Sequence, residues 1–346
     1  MSNLSESRYQ FKVATLNLFN YMAPPDAYYD FVNIYTEPQW LQKQAWLTQY
    51  LQQHTPDVIG FQEVFSIDAL QRLVNDAGYP FFAVVDAPQV TDGFIYRSPV
   101  VALASKFPIL AFKPVQPDPQ LATMMGLQAD FSFSRKPLMA TIEMPNLGAC
   151  DCYVVHFKSK RGQFDVEQGV DTLGVSAQEV GQHFAIEAAA KWSAAMVRGS
   201  EAMLLRYEIA KQRAKLSHPV ILMGDFNDHL SDGVLASLVS TDTRLVSGLS
   251  QQGFNLYRLQ DAYHLFERSQ YCPVAVARKP THYHLASGSV LDYILLSNEF
   301  DPHNDQCLAE VERYHTYDRH LLNPIYEQDS HSTDHAPVMI TLKIRL

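Results

Sequence analysis

The chain has 346 residues, of which 47% are hydrophobic and 18% are charged, and its net charge is −10. This balance is typical of a globular protein with one large domain or two modest ones. The acidic charge excludes nucleic-acid binding by bulk electrostatics, although a local basic groove or a bound metal ion would offset it. The N-terminus MSNLSESRYQF is polar, and no apolar run is long enough to span a membrane. We therefore expect a cytoplasmic protein without a transmembrane segment, or a secreted one if a precursor has been trimmed.

The four cysteines are too few for a disulfide scaffold. Cys150 and Cys152 flank Asp151 in a predicted strand, and no further His or Cys follows at the spacing of a zinc site. We interpret these cysteines as structural thiols.

The first part of the chain alternates strands with helices. The β-rich run FKVATLNLFN at 11–20 predicts the first strand. Residues 39–54 carry apolar side chains close to helical spacing, and the Thr-Pro-Asp sequence at 55–57 is expected to end that helix. After the next strand, Ser66 is expected to begin a second helix, with Gly78 as the residue after its C-cap.

The remaining chain is predicted to be mainly β, with one long helix. Strands are expected within 98–110, 134–144 and 149–160. A polar, Gly-containing loop at 159–176 is expected to lie above the site, and the longest helical stretch follows at about 176–216. A packing helix and a surface loop are the favoured interpretations here, with a lid as the alternative.

This order of elements predicts the fold class. It runs β-α-β-α, then β-β-β, a long α, and then β-α-β-β. That order indicates an α/β (α+β) protein, a four-layer α/β/β/α sandwich of two packed mixed sheets with outer helices. In this interpretation residues 1–10 form an N-terminal tail, and residues 11–346 form a single domain with the helical excursion at about 176–216.

Four apolar runs carry acidic or amide side chains at or next to their ends. They read VIGFQEV at 58–64, VILMGDFND at 220–228, VLDYILLS at 290–297 and STDHAPVMITL at 332–342. Acids placed repeatedly at strand ends are typical of an active-site rim. The pattern therefore favours an enzyme over a binding module.

The first two runs offer candidate metal and water ligands. Glu63 follows an apolar strand, and Mg²⁺ takes one or two carboxylates and keeps several waters; a solvent-facing acid is the alternative. Asp225 and Asn227 stand two residues apart, so in extended backbone they point the same way and can hold a water against a phosphoryl oxygen. Gly224 allows a close backbone approach. An ordinary turn is the alternative, which Phe226 and the apolar lead-in disfavour.

The last two runs offer an acid/base pair. Asp334 and His335 lie where a loop enters the final strand, and His is the natural acid or base near neutral pH. Asp292 is the candidate to orient this imidazole, which leaves Asp334 for a metal ion or for a second orienting contact.

Cationic side chains follow His156, which ends a predicted strand. Lys158, Lys160 and Arg161 come directly after it, and Arg135 precedes another strand. Clustered cations suit a phosphate, which needs its charge neutralised during reaction. A solvated loop and an ordinary strand-end charge are the alternatives.

Six of these segments, taken together, resemble one family. They are TLNLFN at 15–20, GFQEV at 60–64, VVHFKSK at 154–160, GDFND at 224–228, LDYILLS at 291–297 and STDHAPV at 332–338. In this order they resemble the endonuclease/exonuclease/phosphatase superfamily, from about residue 11 to the C-terminus. That superfamily includes pancreatic-type deoxyribonuclease, abasic-site endonucleases, sphingomyelinases and inositol-polyphosphate phosphatases. The resemblance implies a DNase I-like fold and metal-dependent hydrolysis of phosphodiester bonds.

The resemblance also implies metal and phosphate contacts. Glu63 is implied as the principal ligand of Mg²⁺ or Mn²⁺, with Asp334 near the metal. Asn17 is implied to lie near the metal and to help hold the scissile phosphate. His156 is implied to donate to a non-bridging phosphate oxygen.

Catalysis by an activated water is implied at the remaining positions. Asp225 would position or activate the water, and Asn227 would stabilise the transition state. His335 would contact the phosphate or act as acid/base, oriented by Asp292. Whether Asp225 or His335 is the general base stays open.

The substrate stays open as well, because a fold does not define it. His rather than Tyr at 156, followed by Phe-Lys-Ser, looks more like deoxyribonuclease-type and extracellular-nuclease-like members, and nucleic acid is the favoured substrate. A sphingomyelinase-like enzyme is one alternative. It should expose an apolar surface, for which Phe81-Phe82 and Phe131/Phe133 are the nearest candidates. An inositol-phosphate enzyme and a catalytically inactive binding scaffold are the others, and no protein partner can be inferred.

Overall fold

Two six-stranded sheets form the centre of the computed structural model, which describes residues 9–162, 164, 177–231, 233–240, 251–272, 274 and 276–345. In chain order, the strands are β1 Gln10–Tyr21, β2 Ala27–Tyr28, β3 Val58–Val64, β4 Phe81–Val84, β5 Gln89–Thr91, β6 Ile95–Arg97, β7 Val100–Ser105, β8 Ile109–Pro114, β9 Leu138–Met144, β10 Gly148–His156, β11 Val220–Asp225, β12 Leu259–Asp261, β13 His282–His284, β14 Ser287–Ser289, β15 Asp292–Ser297, β16 Ala309–Thr316 and β17 Val338–Ile344. The first sheet has the order β16-β17-β1-β3-β7-β4, and the second has the order β12-β15-β11-β10-β9-β8. Small sheets of β2-β6-β5 and β13-β14 lie beside them.

Helices cover the outer face of each sheet. They are α1 Glu37–His54, α2 Ile67–Asp76, α3 Pro119–Met124, α4 Ala177–Leu216, α5 Ala236–Val239, α6 Gln251–Asn255, α7 Ala262–Arg268, α8 Arg319–Leu322 and α9 Tyr326–Asp329, with 3₁₀ turns at Gly233–Leu235 and Asn298–Phe300. Among the described helices, none is both long and apolar enough to cross a membrane.

Three apolar clusters bind the layers together. Alternate side chains of the two sheets, among them Val13 and Val154, meet in the central cluster. A second cluster packs α1 and α2 against the first sheet, and a third packs α4 against the second sheet. The predicted four-layer α/β/β/α sandwich is therefore confirmed.

Strand direction brings one edge of both sheets to the same end of the molecule. Strands β1 and β3 are parallel, as are β10 and β11, so both pairs finish at this edge. Strands β15 and β17 run antiparallel to their neighbours and therefore begin there. In the second sheet, His156 pairs with Asp225, and Asp225 pairs with Asp292. The acidic residues of the sequence motifs therefore converge at this edge, some from strands that end there and others from strands that begin there.

Most predicted elements are present, with shifted ends. The helix predicted at 39–54 begins two residues earlier, at Glu37, and Thr55 then takes a left-handed conformation with φ of 46°. At the end of α2, Gly78 has φ of 91°, its N–H bonds to Asn75 O, and the next N–H bonds back to Val74 O. This is a Schellman C-cap, as predicted. Ser66 precedes α2, but its hydroxyl makes no capping bond.

Two predicted strands in the middle were too long. The stretch 98–110 splits into β7 and β8, since Ser105 Oγ accepts from the N–H of Phe107 and turns the chain there. The stretch 134–144 is extended only from Leu138, directly after Pro137. Of the predicted loop at 159–176, residues 163 and 165–176 lie outside the described residues, as do residues 1–8 of the predicted tail.

Candidate active site

Asn17 joins the two sheets at the edge where their strands converge. Its Nδ2 donates to Asp225 Oδ2 at 3.1 Å in the second sheet and to Glu63 Oε1 at 3.3 Å in the first. Its Oδ1 accepts from the N–H of Phe19 at 3.0 Å, and the residue is fully buried. One amide therefore sets the spacing between two carboxylates that are far apart in sequence.

Glu63 lies one residue before the end of β3, in a left-handed conformation with φ of 59°. This conformation is uncommon for a residue with a side chain, and such residues often occur at functional sites. Its Oε2 accepts the N–H of Asn20 at 2.9 Å, in addition to the bond from Asn17 to Oε1. Since a carboxylate has about four acceptor positions, Glu63 keeps capacity for a metal ion.

Asp225 is the buried centre of the cluster. Its Oδ1 accepts the N–H of Asn227 at 2.8 Å, and its Oδ2 lies 3.5 Å from His156 Nε2 and 3.9 Å from His335 Nε2. Burial, together with the nearby charge of Asp292, raises the pKa of Asp225 to about 7, although His335 opposes this shift. A carboxyl group with such a pKa can take up and release a proton near neutral pH.

His335 and Asp292 form a buried pair beside Asp225. His335 Nδ1 lies 2.8 Å from Asp292 Oδ2, which directs Nε2 towards Asp225. Burial opposes a charge on this imidazole, but Asp292 and Asp225 together raise the pKa of His335 well above its ordinary value. The structure therefore places Asp292 next to the imidazole that it was predicted to orient, and the orienting role stays a prediction.

His156 has the opposite electrostatic character. Burial lowers its pKa well below the ordinary value, and Arg135 and His335 lower it further. Its Nδ1 has no hydrogen-bond partner among the described residues. A neutral imidazole donates through one nitrogen and accepts through the other, so His156 is suited to a hydrogen bond with substrate.

Asn227 and Arg135 meet at one backbone carbonyl. Asn227 Nδ2 donates to Phe157 O at 3.1 Å, and Arg135 Nη1 donates to the same oxygen at 3.3 Å. Gly224, just before Asp225, has φ of 148°, and a Cβ there would lie 2.0 Å from Val155 O. Glycine is therefore required for the close approach of β10 and β11 that positions these residues.

Two candidate residues lie further from this centre. Lys158 Nζ donates to Arg161 O at 3.0 Å, so its ammonium is turned towards its own loop. The Asp334 side chain is 41% exposed, and its Oδ1 lies 4.0 Å from His335 Nε2. Asp334 thus faces the solvent side of the cluster, where a ligand would enter.

Comparisons with known proteins identify the family of the chain and proteins of the same fold. The model of the Endonuclease/Exonuclease/phosphatase family matches residues 31–335. The chain belongs to this family. A search of curated protein sequences found no match.

Solved structures of endonuclease/exonuclease/phosphatase proteins have the same fold. The human Nocturnin catalytic domain with bound sulfate is 16% identical, with a TM-score of 0.54 over 97% of this chain and 95% of that one. D. rerio TDP2 in complex with a single-strand DNA product is 12% identical, with a TM-score of 0.53 over 96% and 99%. A family protein from Bacteroides thetaiotaomicron is 16% identical, with a TM-score of 0.52 over 97% and 96%. At these identities the likeness establishes the fold alone.

The family is part of a superfamily of hydrolases that act on phosphodiester bonds and generally depend on divalent metal ions. The donor set fits such an ion, because hard cations prefer carboxylate oxygens. Two groups of side chains place their potential ligand atoms within 4.8 Å of one another: His282, Asp334 and His335, and Asp225, Asp292 and His335. Asp292 Oδ1 and Asp334 Oδ1 have no hydrogen-bond partner among the described residues.

Two residues beside the candidate site were missed in the sequence. His282 begins a short hairpin, and its Nε2 lies 3.9 Å from Asp334 Oδ2. Lys43, from α1, donates to Ser332 O at 2.7 Å. Both depend on contacts between distant segments, and nothing in the local sequence distinguishes them.

The long helix α4 supports the site from outside. Buried Glu201 accepts the N–H of Ser134 at 2.6 Å and the N–H of Lys158 at 2.7 Å. Arg198 binds Asp228 Oδ2 at 2.6 Å. These bonds fix the backbone after β10 and after β11, so the favoured interpretation of a packing helix agrees with the contacts of this part of α4.

Proposed function

We propose that this protein is a divalent-metal-dependent phosphodiesterase that uses an activated water, and that its substrate is nucleic acid. The observation that supports this most directly is the convergence on Asp225. Its carboxyl group receives hydrogen bonds from Asn17 and Asn227 and has two imidazoles, of His156 and His335, within 3.9 Å. A carboxyl group held in this way can position a water for attack on phosphorus.

The proton chemistry follows from the pKa of Asp225 and from the opposite protonation states of His335 and His156. Asp225, with its pKa of about 7, accepts the proton of the attacking water. His335 stays cationic next to Asp292 while the phosphate binds, offers its charge to the phosphate, and donates a proton to the leaving oxygen as the P–O bond to that oxygen breaks. His156 stays neutral and donates a hydrogen bond to a non-bridging oxygen. The Asn227 amide donates to Phe157 O and to Asp225 Oδ2, and it can redirect one of these two donors to the phosphate as charge develops in the transition state.

We assign the metal ion, Mg²⁺ or Mn²⁺, to Glu63, whose carboxylate keeps free acceptor capacity, with Asp334, whose Oδ1 has no hydrogen-bond partner among the described residues. When bound, the ion would neutralise phosphate charge and polarise the phosphoryl oxygen. The amide oxygen of Asn17 already accepts from Phe19, so Asn17 is better suited to spacing Glu63 and Asp225 than to direct ligation.

A nuclease with short or loosely held substrates fits the charges of the chain. The net charge of −10 opposes long contacts with polyanions. Local cations nevertheless accompany the site: the charge of Arg135 acts on His156, and Lys158 follows two residues after His156 with its ammonium turned towards its own loop. TDP2 from D. rerio, which shares this fold, is described with a single-strand DNA product.

A lipid phosphodiester is the second candidate, because apolar side chains are exposed near the site. The aromatic pairs that the sequence offered as candidates for an apolar surface do not supply this exposure. Phe133 is buried, and Phe82 and Phe131 pack against the outer clusters. Phe31 and Val32 are exposed instead, at 64% and 68%.

The test compares three substrates under metal control. Hydrolysis of bis-p-nitrophenyl phosphate, single-stranded and plasmid DNA, and sphingomyelin vesicles is measured with Mg²⁺, with Mn²⁺ and with EDTA. We expect metal-dependent cleavage of the generic diester and of DNA, both abolished in Asp225→Asn. Cleavage of the generic diester and the lipid without DNA would move the substrate to lipids, and no cleavage of any diester would contradict the proposal.

Asp151→Asn is the matched control. Asp151 is also buried on a central strand, and its Oδ1 also lies near a histidine, 3.1 Å from His218 Nδ1. It lies five residues before His156 on β10, in the half of the strand that is away from the site. A loss of activity in Asp225→Asn that Asp151→Asn does not share would therefore report the site rather than the loss of a buried carboxylate.

A further inference from the structure

A cleft of about 510 Å³ opens directly beside the candidate active site. One wall is formed by the segment between β1 and α1, with Val32 and Ile34, and the other by residues 329–334. Ligand pockets commonly measure roughly 300–1,000 Å³. The cleft is therefore large enough for a nucleoside-sized group.

The cleft is continuous with the site through backbone and side-chain contacts. Phe19 lines it and donates its N–H to Asn17 Oδ1. Thr333 lines it from the other side, precedes Asp334, and donates its hydroxyl to Asn17 O at 2.6 Å. A substrate with its phosphate at the site would extend its neighbouring group into this space.

Aromatic and aliphatic side chains dominate the first wall. The rings of Tyr28 and Tyr35 lie 5.5 Å apart, and Tyr35 donates its hydroxyl to Phe19 O. Ile34 and Val32 are exposed, at 42% and 68%. Exposed apolar side chains gathered beside a catalytic centre are typical of ligand contact.

The base of the cleft carries a buried ammonium group. Lys43 lies 5.5 Å from the ring centroid of Tyr35 and 5.7 Å from that of Phe19. It donates to Ser332 O, and an ammonium has three donors. Among the described residues, Lys43 Nζ makes a hydrogen bond only to Ser332 O, so its other donors are left for a carbonyl or ring nitrogen of a ligand.

We propose that this cleft is a specificity subsite that binds the nucleobase next to the scissile phosphate. A base combines a flat apolar face with donors and acceptors on its edge. The cleft combines apolar walls with Lys43, Asn33, Gln39 and His331. A lipid chain would bury these polar groups without replacing their hydrogen bonds to water, at a cost in free energy. This inference rests on the proposed phosphodiesterase function and specifies its substrate.

The test measures inhibition rather than cleavage of nucleic acid. Inhibition constants of thymidine 5′-monophosphate and of 2-deoxyribose 5-phosphate are determined against hydrolysis of bis-p-nitrophenyl phosphate. The two inhibitors differ by the base alone. We expect the nucleotide to bind about tenfold more tightly in the wild type, as base stacking on aromatic side chains provides. In Ile34→Ala and Val32→Ala this ratio should fall to about threefold or less, because each truncation removes apolar contact with the base.

Leu110→Ala is the matched control, since it removes a side chain of similar exposure, 55%, from the edge strand β8. Its neighbour Ile109 pairs with Ile142, which pairs with Cys150 at the end of β10 away from the site. The control should keep the wild-type ratio.

An equal ratio in the wild type and in both cleft variants would overturn the subsite. A failure of the proposed function is seen separately, as no hydrolysis of the diester by the wild type. In that case, calorimetric titration of the same two compounds into the wild type still measures whether the base adds affinity and whether Ile34→Ala removes it.

Discussion

Asp292→Asn replaces one oxygen in the buried pair that orients His335. Asp292 Oδ2 lies 2.8 Å from His335 Nδ1, and the side chain is almost fully buried. The asparagine is nearly isosteric, but it has no negative charge, and its NH₂ group can favour the wrong imidazole tautomer. A hydrogen bond to a charged group contributes about 1.5–3 kcal/mol. At about 1.4 kcal/mol per factor of ten, the loss predicts that kcat falls roughly 10- to 150-fold.

The assay is steady-state hydrolysis of bis-p-nitrophenyl phosphate, with thermal unfolding measured in parallel. The melting temperature should fall, because the substitution removes the negative partner of the buried His335 imidazolium, and the relief of repulsion with Asp225 offsets only part of this loss. The kinetic assay is therefore run well below the melting temperature, so that kcat refers to folded protein. Asp151→Asn, next to His218, should leave kcat near the wild-type value. A kcat within twofold of wild type in Asp292→Asn, or an equal loss in the Asp151 control, would refute the orienting role.

Three further predictions concern the metal ion, the helix support and the thiols. Glu63→Gln keeps one of the two hydrogen bonds that Glu63 accepts from Asn17 and Asn20 and loses the charge, so the Mg²⁺ concentration for half-maximal activity should rise at least about tenfold, as a metal titration measures. Glu201→Gln leaves one of the two backbone N–H groups that the buried carboxylate binds without its acceptor, and urea unfolding should reveal a loss of about 1–3 kcal/mol. The same change at exposed Glu187 should leave the stability near that of the wild type, and equal losses would refute the bonding role. Cys272 is the one cysteine that is not buried, so a thiol reagent should modify one of the four cysteines in the native protein and all four in denaturant. Rapid native reaction of two or more would contradict the burial.

Local sequence patterns were sufficient to predict most of the fold and many of the polar residues that the structure brings together at the candidate site. Alternating or continuous apolar runs located the central strands, and their polar ends gave Asp225 and His335. The parallel direction of β1, β3, β10 and β11 then brought these ends together. Glu63 shows the limit of this approach, because its left-handed φ could not be predicted from a strand pattern that continues to Val64.

The missed residues have a common physical reason. Lys43 lies within an amphipathic helix, and its ammonium reaches a carbonyl of a loop 289 residues further along the chain. Burial lowers the pKa of Lys43 to about 7, which identifies it as unusual only once the structure is known. Glu201 likewise looks like an ordinary helical acid, although it accepts two backbone N–H groups from separate loops. Such roles come from tertiary contacts, which local periodicity does not contain.

The site is divided between the two sheets, and this division links catalysis to their packing. Glu63 and Asn17 belong to the first sheet, whereas Asp225 and His156 belong to the second. The bond from Asn17 to Asp225, at 3.1 Å, crosses the interface between them. A closely packed core transmits small displacements, and a misplacement of about 1 Å can reduce a rate by roughly a hundredfold. The apolar contacts between the sheets therefore set the distance between the proposed metal ligand and the proposed base.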